Sequence, residues 1–182
     1  MKKINLLVVL FAVHLATFAQ PIYLSKTGEA SFFSETPLEN IDAHSKIVTS
    51  VLNTTSKEVV FKIKVRTFKF EKALMEEHFN EKYLESDKYS DATFIGKINE
   101  TIDFTKDGVY QITATGKLNI HGIAKDRTEK GTLTIKNGQI SISASFIVTL
   151  KDFKIEVPQL VMQNIAETIA VKVSADYMPY KK

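Results

Sequence analysis

From Tyr110 to Ile120 the chain alternates without a break: Tyr110, Ile112, Ala114, Gly116, Leu118 and Ile120 fall on one side, and Gln111, Thr113, Thr115, Lys117, Asn119 and His121 on the other. A period of two is that of a β-strand with one dry and one wet face. The same pattern recurs at Val59, Phe61, Ile63 and Val65, at Ile140 to Leu150, and at Ile169, Val171, Val173, Ala175 and Tyr177. Shorter versions occupy Gly28 to Ser34 and Ala92 to Ile98, with Phe68 and Phe70 extending the Val59 run, and Ile41 to Leu52 carries a weaker signal for a second and a third strand. The punctuation between them is that of hairpins: Asn53-Thr54-Thr55-Ser56, Asp107-Gly108 read as a tight turn, a break at His121-Gly122, and Asn137-Gly138. Amphipathic strands in sequential hairpins predict a mainly β chain whose sheet closes on itself to hide its edges, an eight-stranded antiparallel β-barrel.

One stretch departs from this period. From Ala73 to Phe94 the sequence has helical character, and Leu74, Met75, His78, Phe79 and Tyr83 recur at spacings of three and four. This predicts one amphipathic helix inserted among the strands, with an apolar stripe that needs a surface to cover. A further short helical turn is predicted near Val161 to Glu167, after a loop around Lys151 to Pro158.

The first residues have another purpose. Lys2 and Lys3 precede an apolar run from Ile4 to Ala16, and small Thr17 and Ala19 occupy the positions a signal peptidase inspects, so residues 1–19 read as a signal peptide cleaved before Gln20. The run is shorter than the ~20 apolar residues of a spanning helix, so no stable membrane span is expected after cleavage. Residues 20–182 then form a single domain, exported to the periplasm or secreted. Cleavage removes two of the charges behind the net +3, leaving +3 − 2 = +1, and no nucleic acid partner is expected of such a surface. The chain contains no cysteine, which excludes disulfides and thiolate metal sites.

The dry face mixes sizes: Ala30, Ala92, Gly96, Ala114, Gly116, Ala144 and Ala175 lie among Phe32, Phe61, Phe94, Phe146, Leu118 and several Ile. A barrel of about eight strands either fills with side chains or holds one small ligand. From size alone a cavity and a filled core are equally compatible. Chemistry has little to stand on: His44, His78 and His121 follow no metal-ligand spacing, and Met75 occupies the position three before His78 where a carboxylate di-metal site needs Glu. No G-x-S-x-G elbow or Gly-rich phosphate loop is present, so no metal, cofactor or catalytic residue is assigned and no enzyme is expected.

Three segments in order resemble the YceI-like family of periplasmic polyisoprenoid-binding β-barrels. The helix from Glu77 with its exit Lys88-Tyr89-Ser90-Asp91-Ala92-Thr93-Phe94 is similar to the family's helix followed by K-Y-P-x-A-x-F. Gly116-Lys117-Leu118-Asn119-Ile120-His121-Gly122-Ile123-Ala124-Lys125 is similar to G-x-L-T-I-H-G-V-T-K, and Asp152-Phe153-Lys154-Ile155-Glu156-Val157-Pro158 to D-F-x-I-x-x-P. Ser90, Asn119 and Ala124 depart from the pattern. The resemblance covers essentially the whole mature chain. It implies a lipocalin-like barrel holding a long isoprenoid or similar lipid for storage, transport or stress protection. The expected lining is Phe32, Phe61, Ile63, Phe94, Ile98, Ile112, Phe146 and Val171, with Phe79 and Tyr83 from the helix at the mouth and His78, Asn80 and Lys82 as candidates for a polar head group. Two other readings stay open at this point: an enzyme acting on such a lipid through His78, Tyr83 or nearby carboxylates, and a filled barrel working through its outer surface. The oligomeric state is left open, a homodimer included.

Overall fold

A computed structural model of the chain describes residues 21–36, 39–157 and 165–180. The signal-peptide expectation and most of the expected turn near Val161 lie outside the described residues. Long strands dominate: β1 (Ile22–Ser34), β2 (Ile41–Asn53), β3 (Glu58–Lys64), the two-residue β4 (Lys69–Phe70), β5 (Asp91–Ile98), β6 (Gly108–Ile120), β7 (Ile123–Lys136), β8 (Gln139–Thr149) and β9 (Thr168–Pro179). Neighbours run β1-β9-β8-β7-β6-β5-β3-β2, and β2 pairs back onto β1. All pairings are antiparallel, so eight strands form a closed barrel, with β4 attached to β2.

The alternation works as expected along most of the barrel. Val59, Phe61 and Ile63 are buried while Lys62 and Lys64 are exposed, and Ile140, Ile142 and Val148 are buried while Ser143, Ser145 and Ile147 are exposed. His121-Gly122 and Asn137-Gly138 are two-residue hairpin turns, with φ of 52° and 72° at the first and 51° and 75° at the second. Positive φ at both central residues matches the twist of the flanking strands, which is why Gly and Asn recur there.

Four details correct the sequence reading. Ile41 to Asn53 is one strand, not two: it pairs with β1 along its length, with two register shifts on the β1 side, and with β3 over Val48–Leu52. Phe68 and Phe70 do not extend β3 directly, since Val65–Thr67 forms a single 3-10 turn after which Lys69–Phe70 resumes pairing on β2 at His44 and Ala43. Asp107-Gly108 is not a tight turn: β5 ends at Ile98 and Gly108 begins β6, so β5 and β6 are joined by residues 99–107. The chain reverses at Asp103, whose carboxylate accepts the Thr105 N–H and hydroxyl and whose carbonyl accepts the Lys106 N–H. These bonds hold the Asp103 carboxyl below the usual carboxylate range, the Thr105 hydroxyl contributing most. The helical stretch is also shorter than the sequence suggests: α1 covers Ala73–His78, a π-turn covers Phe79–Tyr83, and β5 starts at Asp91.

One end of the barrel is packed solid. Leu52, Ile98 and Leu133 have no exposed surface, and Ile135, Ile140 and Tyr177 pack with them. Ser50 Oγ donates to the Val60 carbonyl at 2.7 Å and accepts from the Tyr177 hydroxyl at 2.6 Å. Burial pushes the Tyr177 hydroxyl well above the ordinary phenol range, which keeps it a donor at any pH at which the protein folds.

On the opposing strands β5 and β6, Gly96 and Gly116 sit in register. A Cβ on Gly116 would lie 2.2 Å from the Ile95 carbonyl oxygen and 2.4 Å from the Gly96 Cα, while one on Gly96 would strike the Phe94 ring. Here glycine permits close strand approach and makes the shelf on which Phe94 lies. We expect Gly116→Ala to destabilise the fold by about 2–3 kcal/mol through overpacking against backbone that cannot retreat, measured by urea unfolding. A loss below about 0.5 kcal/mol, ordinary for a neutral surface change, would contradict this account of the Gly96–Gly116 pair.

Candidate ligand-binding cavity

Above the packed end the interior opens. A cavity of about 310 Å³ runs between the strands to the side covered by α1, and its wall is almost wholly apolar. Its floor includes Val59, Ile112 and Ile142, and its sides include Phe61, Phe94, Phe146 and Val171. The room comes from Ala92, Ala114, Gly131 and Ala144, which line the same space. Large side chains at those positions would fill the barrel, as small and large residues do in filled relatives of this architecture.

The helical segment roofs the cavity through aromatic contacts. Phe79 stacks on Phe32 with ring centroids 5.3 Å apart and lies 5.8 Å from Phe68 and 5.0 Å from Phe70. Phe32 in turn meets Phe68 at 5.2 Å and Phe70 at 5.7 Å. Four phenylalanines from β1, the β3–β4 connection, β4 and the π-turn thus form one cluster, with pair geometries worth about 0.5–1.5 kcal/mol each beyond area burial. Helix α1 itself buries no residue. Ion pairs tie the segment down at its edges, Lys72 to Glu39, Lys69 to Glu76 and Arg66 to Asp87, all on the exposed rim where each contributes little.

The apolar stripe read from the sequence therefore holds only in part. Met75, His78, Phe79 and Tyr83 line the cavity, but Leu74 is 61% exposed. Leu74 lies in the first turn of α1, about 100° round the helix from Met75 and so at the solvent edge of the stripe, and beyond His78 the wider π-turn carries Phe79 and Tyr83 inward. Burial raises the Tyr83 hydroxyl above the ordinary phenol range, leaving it a protonated polar group in an apolar wall.

The other predicted residues fall as follows. Phe32, Phe61, Ile63, Phe94, Ile112, Phe146 and Val171 line the cavity, whereas Ile98 belongs to the packed end and does not. Strand phase places Ile98 inward but says nothing about depth along the barrel. Among the head-group candidates His78 lines the cavity, while Asn80 turns its amide to the Glu76 carbonyl at 2.8 Å and Lys82 is exposed on the far side. Sequence reading missed Phe68, Phe70, Leu84 and Ile155 as lining residues. It also missed Arg127 and Glu129, which share the inward phase of Leu133 and Ile135 and could have been found by extending that alternation backwards.

His121 explains why the three resembling segments belong together. Its Nε2 lies 2.7 Å from the Glu85 carboxylate, its Nδ1 lies 3.2 Å from the Phe153 carbonyl, and the Tyr89 ring meets it edge-on at 4.6 Å. Tyr89 also occupies the space where a side chain on Gly122 would go, 2.4 Å from its Cβ. The side chain is 12% exposed, so His121 is hydrogen-bonded as expected of its outward phase but not solvated. It ties the exit of the helical segment, the β6–β7 turn and the segment after β8 into one knot. His44, by contrast, is a surface residue paired with Asp42 at 3.1 Å. Among the described residues no cluster of His, Asp and Glu is arranged to hold a metal ion.

Comparison with known proteins agrees with this geometry. A search by sequence found no match among curated proteins. Among solved structures the chain is similar to a polyisoprenoid-binding domain from Saccharophagus degradans implicated in plant cell wall breakdown, with a TM-score of 0.71 at 14% identity over 88% of this chain and 99% of that one. It is similar to Burkholderia cenocepacia BcnA, with a TM-score of 0.69 at 14% identity over 83% of this chain and 96% of that one. The Campylobacter jejuni YceI protein aligns over 100% of both chains at 19% identity with a TM-score of 0.56. At these identities the likeness is one of fold. The model of the YceI-like domain matches residues 26–177, nearly all of the barrel, and on that match the chain belongs to the YceI-like family.

Proposed function

We propose that the protein binds one long apolar chain, an isoprenoid or similar lipid, inside the barrel, and acts as a carrier or store of that molecule. The observation that carries the reading is a cavity walled by Phe, Ile and Val inside a closed barrel, roofed by a segment that is held by aromatic packing and not by the ladder. Each methylene taken out of water contributes about 0.8 kcal/mol. Association itself costs on the order of 4–15 kcal/mol, so a chain of a few carbons gains nothing and only a long one binds. The polyisoprenoid-binding domain of similar fold supports the ligand class.

The reading assigns no catalysis. His78 and Tyr83 face the cavity, but among the described residues His78 has no hydrogen bond or ion pair to a carboxylate that would set it up as a base. No helix among the described residues is long and apolar enough to cross a membrane. Export is proposed from residues 1–19 alone, and N-terminal sequencing of the protein from its native compartment should begin at Gln20; a mature chain beginning at Met1 would contradict it.

Filling the cavity tests the binding reading. Ala114→Phe adds a ring to the cavity wall on β6, and Phe61→Trp enlarges the wall on β3 while adding a fluorophore to a chain that has no Trp. Both substitutions act on neighbouring parts of the wall, β6 and β3 being separated by β5 alone, and each should weaken geranylgeraniol binding at least about tenfold, roughly 1.4 kcal/mol, in calorimetric titration. Unchanged affinity in both variants, with folding intact by circular dichroism, would exclude the interior as the binding site.

A further inference from the structure

The barrel wall parts between β7 and β8. Strands β7 and β8 are paired from Lys136↔Gln139 only as far as Gly131↔Ala144, although β7 begins at Ile123 and stays paired with β6, and β8 continues to Thr149 and stays paired with β9. Beyond the Gly131–Ala144 row their facing edges share no ladder bonds. The gap is bridged higher up by a side chain: Arg127 donates to the Ile147 carbonyl at 2.9 Å and to the Glu129 carboxylate at 2.6 Å. Between this bridge and the last ladder row lie residues 128–130 of β7, an opening roughly 10 Å tall at the usual strand rise.

The cavity reaches this window. Lys130 is in the outward phase of β7 and exposed, yet it borders the internal cavity together with Glu129. On the outside, a polar groove of about 650 Å³ crosses β1, β2, β9, β8 and β7 and reaches Gln111 on β6, and Lys130, Gly131, Ala144 and Val173 border both it and the cavity. The groove adds Lys46, Lys172 and His44 with the hydroxyls of Ser31, Ser143, Ser145 and Ser174, against one carboxylate, Glu29. Among the described residues Lys46, Lys130 and Lys172 form no ion pair. At the roof, by contrast, the carboxylate that lines the cavity, Glu39, is matched by Lys72, and His78 has Glu76 and Glu77 as chain neighbours.

We propose that the β7–β8 window is where the polar end of a cavity-bound lipid leaves the barrel, and that the groove outside it binds an anionic head group, phosphate or carboxylate, through Lys130, Lys172 and Lys46. The inference rests on the lipid-binding reading above. An amphiphile whose head stayed inside would desolvate a charge in an apolar wall, whereas a head in the groove keeps water and gains unpaired cations and hydroxyl donors.

Paired ligands with identical tails separate the two readings. Farnesol and farnesyl phosphate, and hexadecanol and hexadecanoate, are titrated by calorimetry into the full mature chain and into Lys130→Ala/Lys172→Ala, Lys82→Ala and His78→Ala. In the unaltered protein at least one anion should bind about tenfold or more tightly than its alcohol, and the double variant should cut that ratio about tenfold while Lys82→Ala and His78→Ala shift it less than twofold. The phosphate and carboxylate arms identify which anion the groove takes. If the alcohols bind but neither anion is preferred, or if the preference survives Lys130→Ala/Lys172→Ala, or if it is lost in His78→Ala or Lys82→Ala, the window is not the head-group site. If neither the alcohols nor the anions bind at all, the lipid-binding reading falls with it.

Discussion

Closure of the sheet is the constraint on which everything else rests. Because β1 pairs with both β2 and β9, the sheet closes on itself and most strand backbone groups find partners within it, and the period of two gives each strand one face turned to the interior. An interior fixed in this way can be tuned by residue size alone, without altering the ladder. The packed end uses Leu52, Ile98 and Leu133 to exclude space. The other end uses Ala92, Ala114 and Ala144 to make it. One scaffold thus supplies both the stability and the cavity.

Two places outside the regular ladder carry the chemical interest. At the roof, α1 and the π-turn are joined to the barrel by four phenylalanines, a non-directional contact that can reform after displacement, in contrast with hydrogen-bonded strands. At the side, β7 and β8 part company and Arg127 takes the place of ladder bonds at the Ile147 carbonyl. An ion pair facing inward is costly in an apolar barrel, and Arg127 and Glu129 are tolerable there because each satisfies the other and the strand edge supplies a further acceptor. Between these two points the knot around His121 keeps the roof segment, the β6–β7 turn and the segment after β8 in fixed relation.

Much of this was legible in the sequence, because strand phase and hairpin turns are local. The alternation from Tyr110 to Ile120 and the turn at Asn137-Gly138 needed no tertiary information. What failed needed more than strand phase and turn motifs. Asp-Gly looks like a hairpin turn at Asp107-Gly108, yet the side-chain bonds of Asp103 decide where the chain reverses. Leu74 lies at the edge of the helical stripe, where spacing alone does not tell the covered side from the solvent side. Phase placed Ile98 on the inner face but could not tell cavity from packed end, which depends on the partners that strand register brings to it. The ten expected lining residues were chosen on hydrophobicity, and a charged pair in the inward phase of β7 was invisible to that criterion.

The central claim is that the interior is a place for a long apolar molecule and not a packing defect. Native mass spectrometry of the protein purified from its native cells, followed by organic extraction of the same sample, tests it most directly. The account predicts one bound lipid per chain, with a tail of isoprenoid or comparable length, that is lost in Ala114→Phe. A protein of apo mass whose extract contains no lipid above that of a matched control would contradict it.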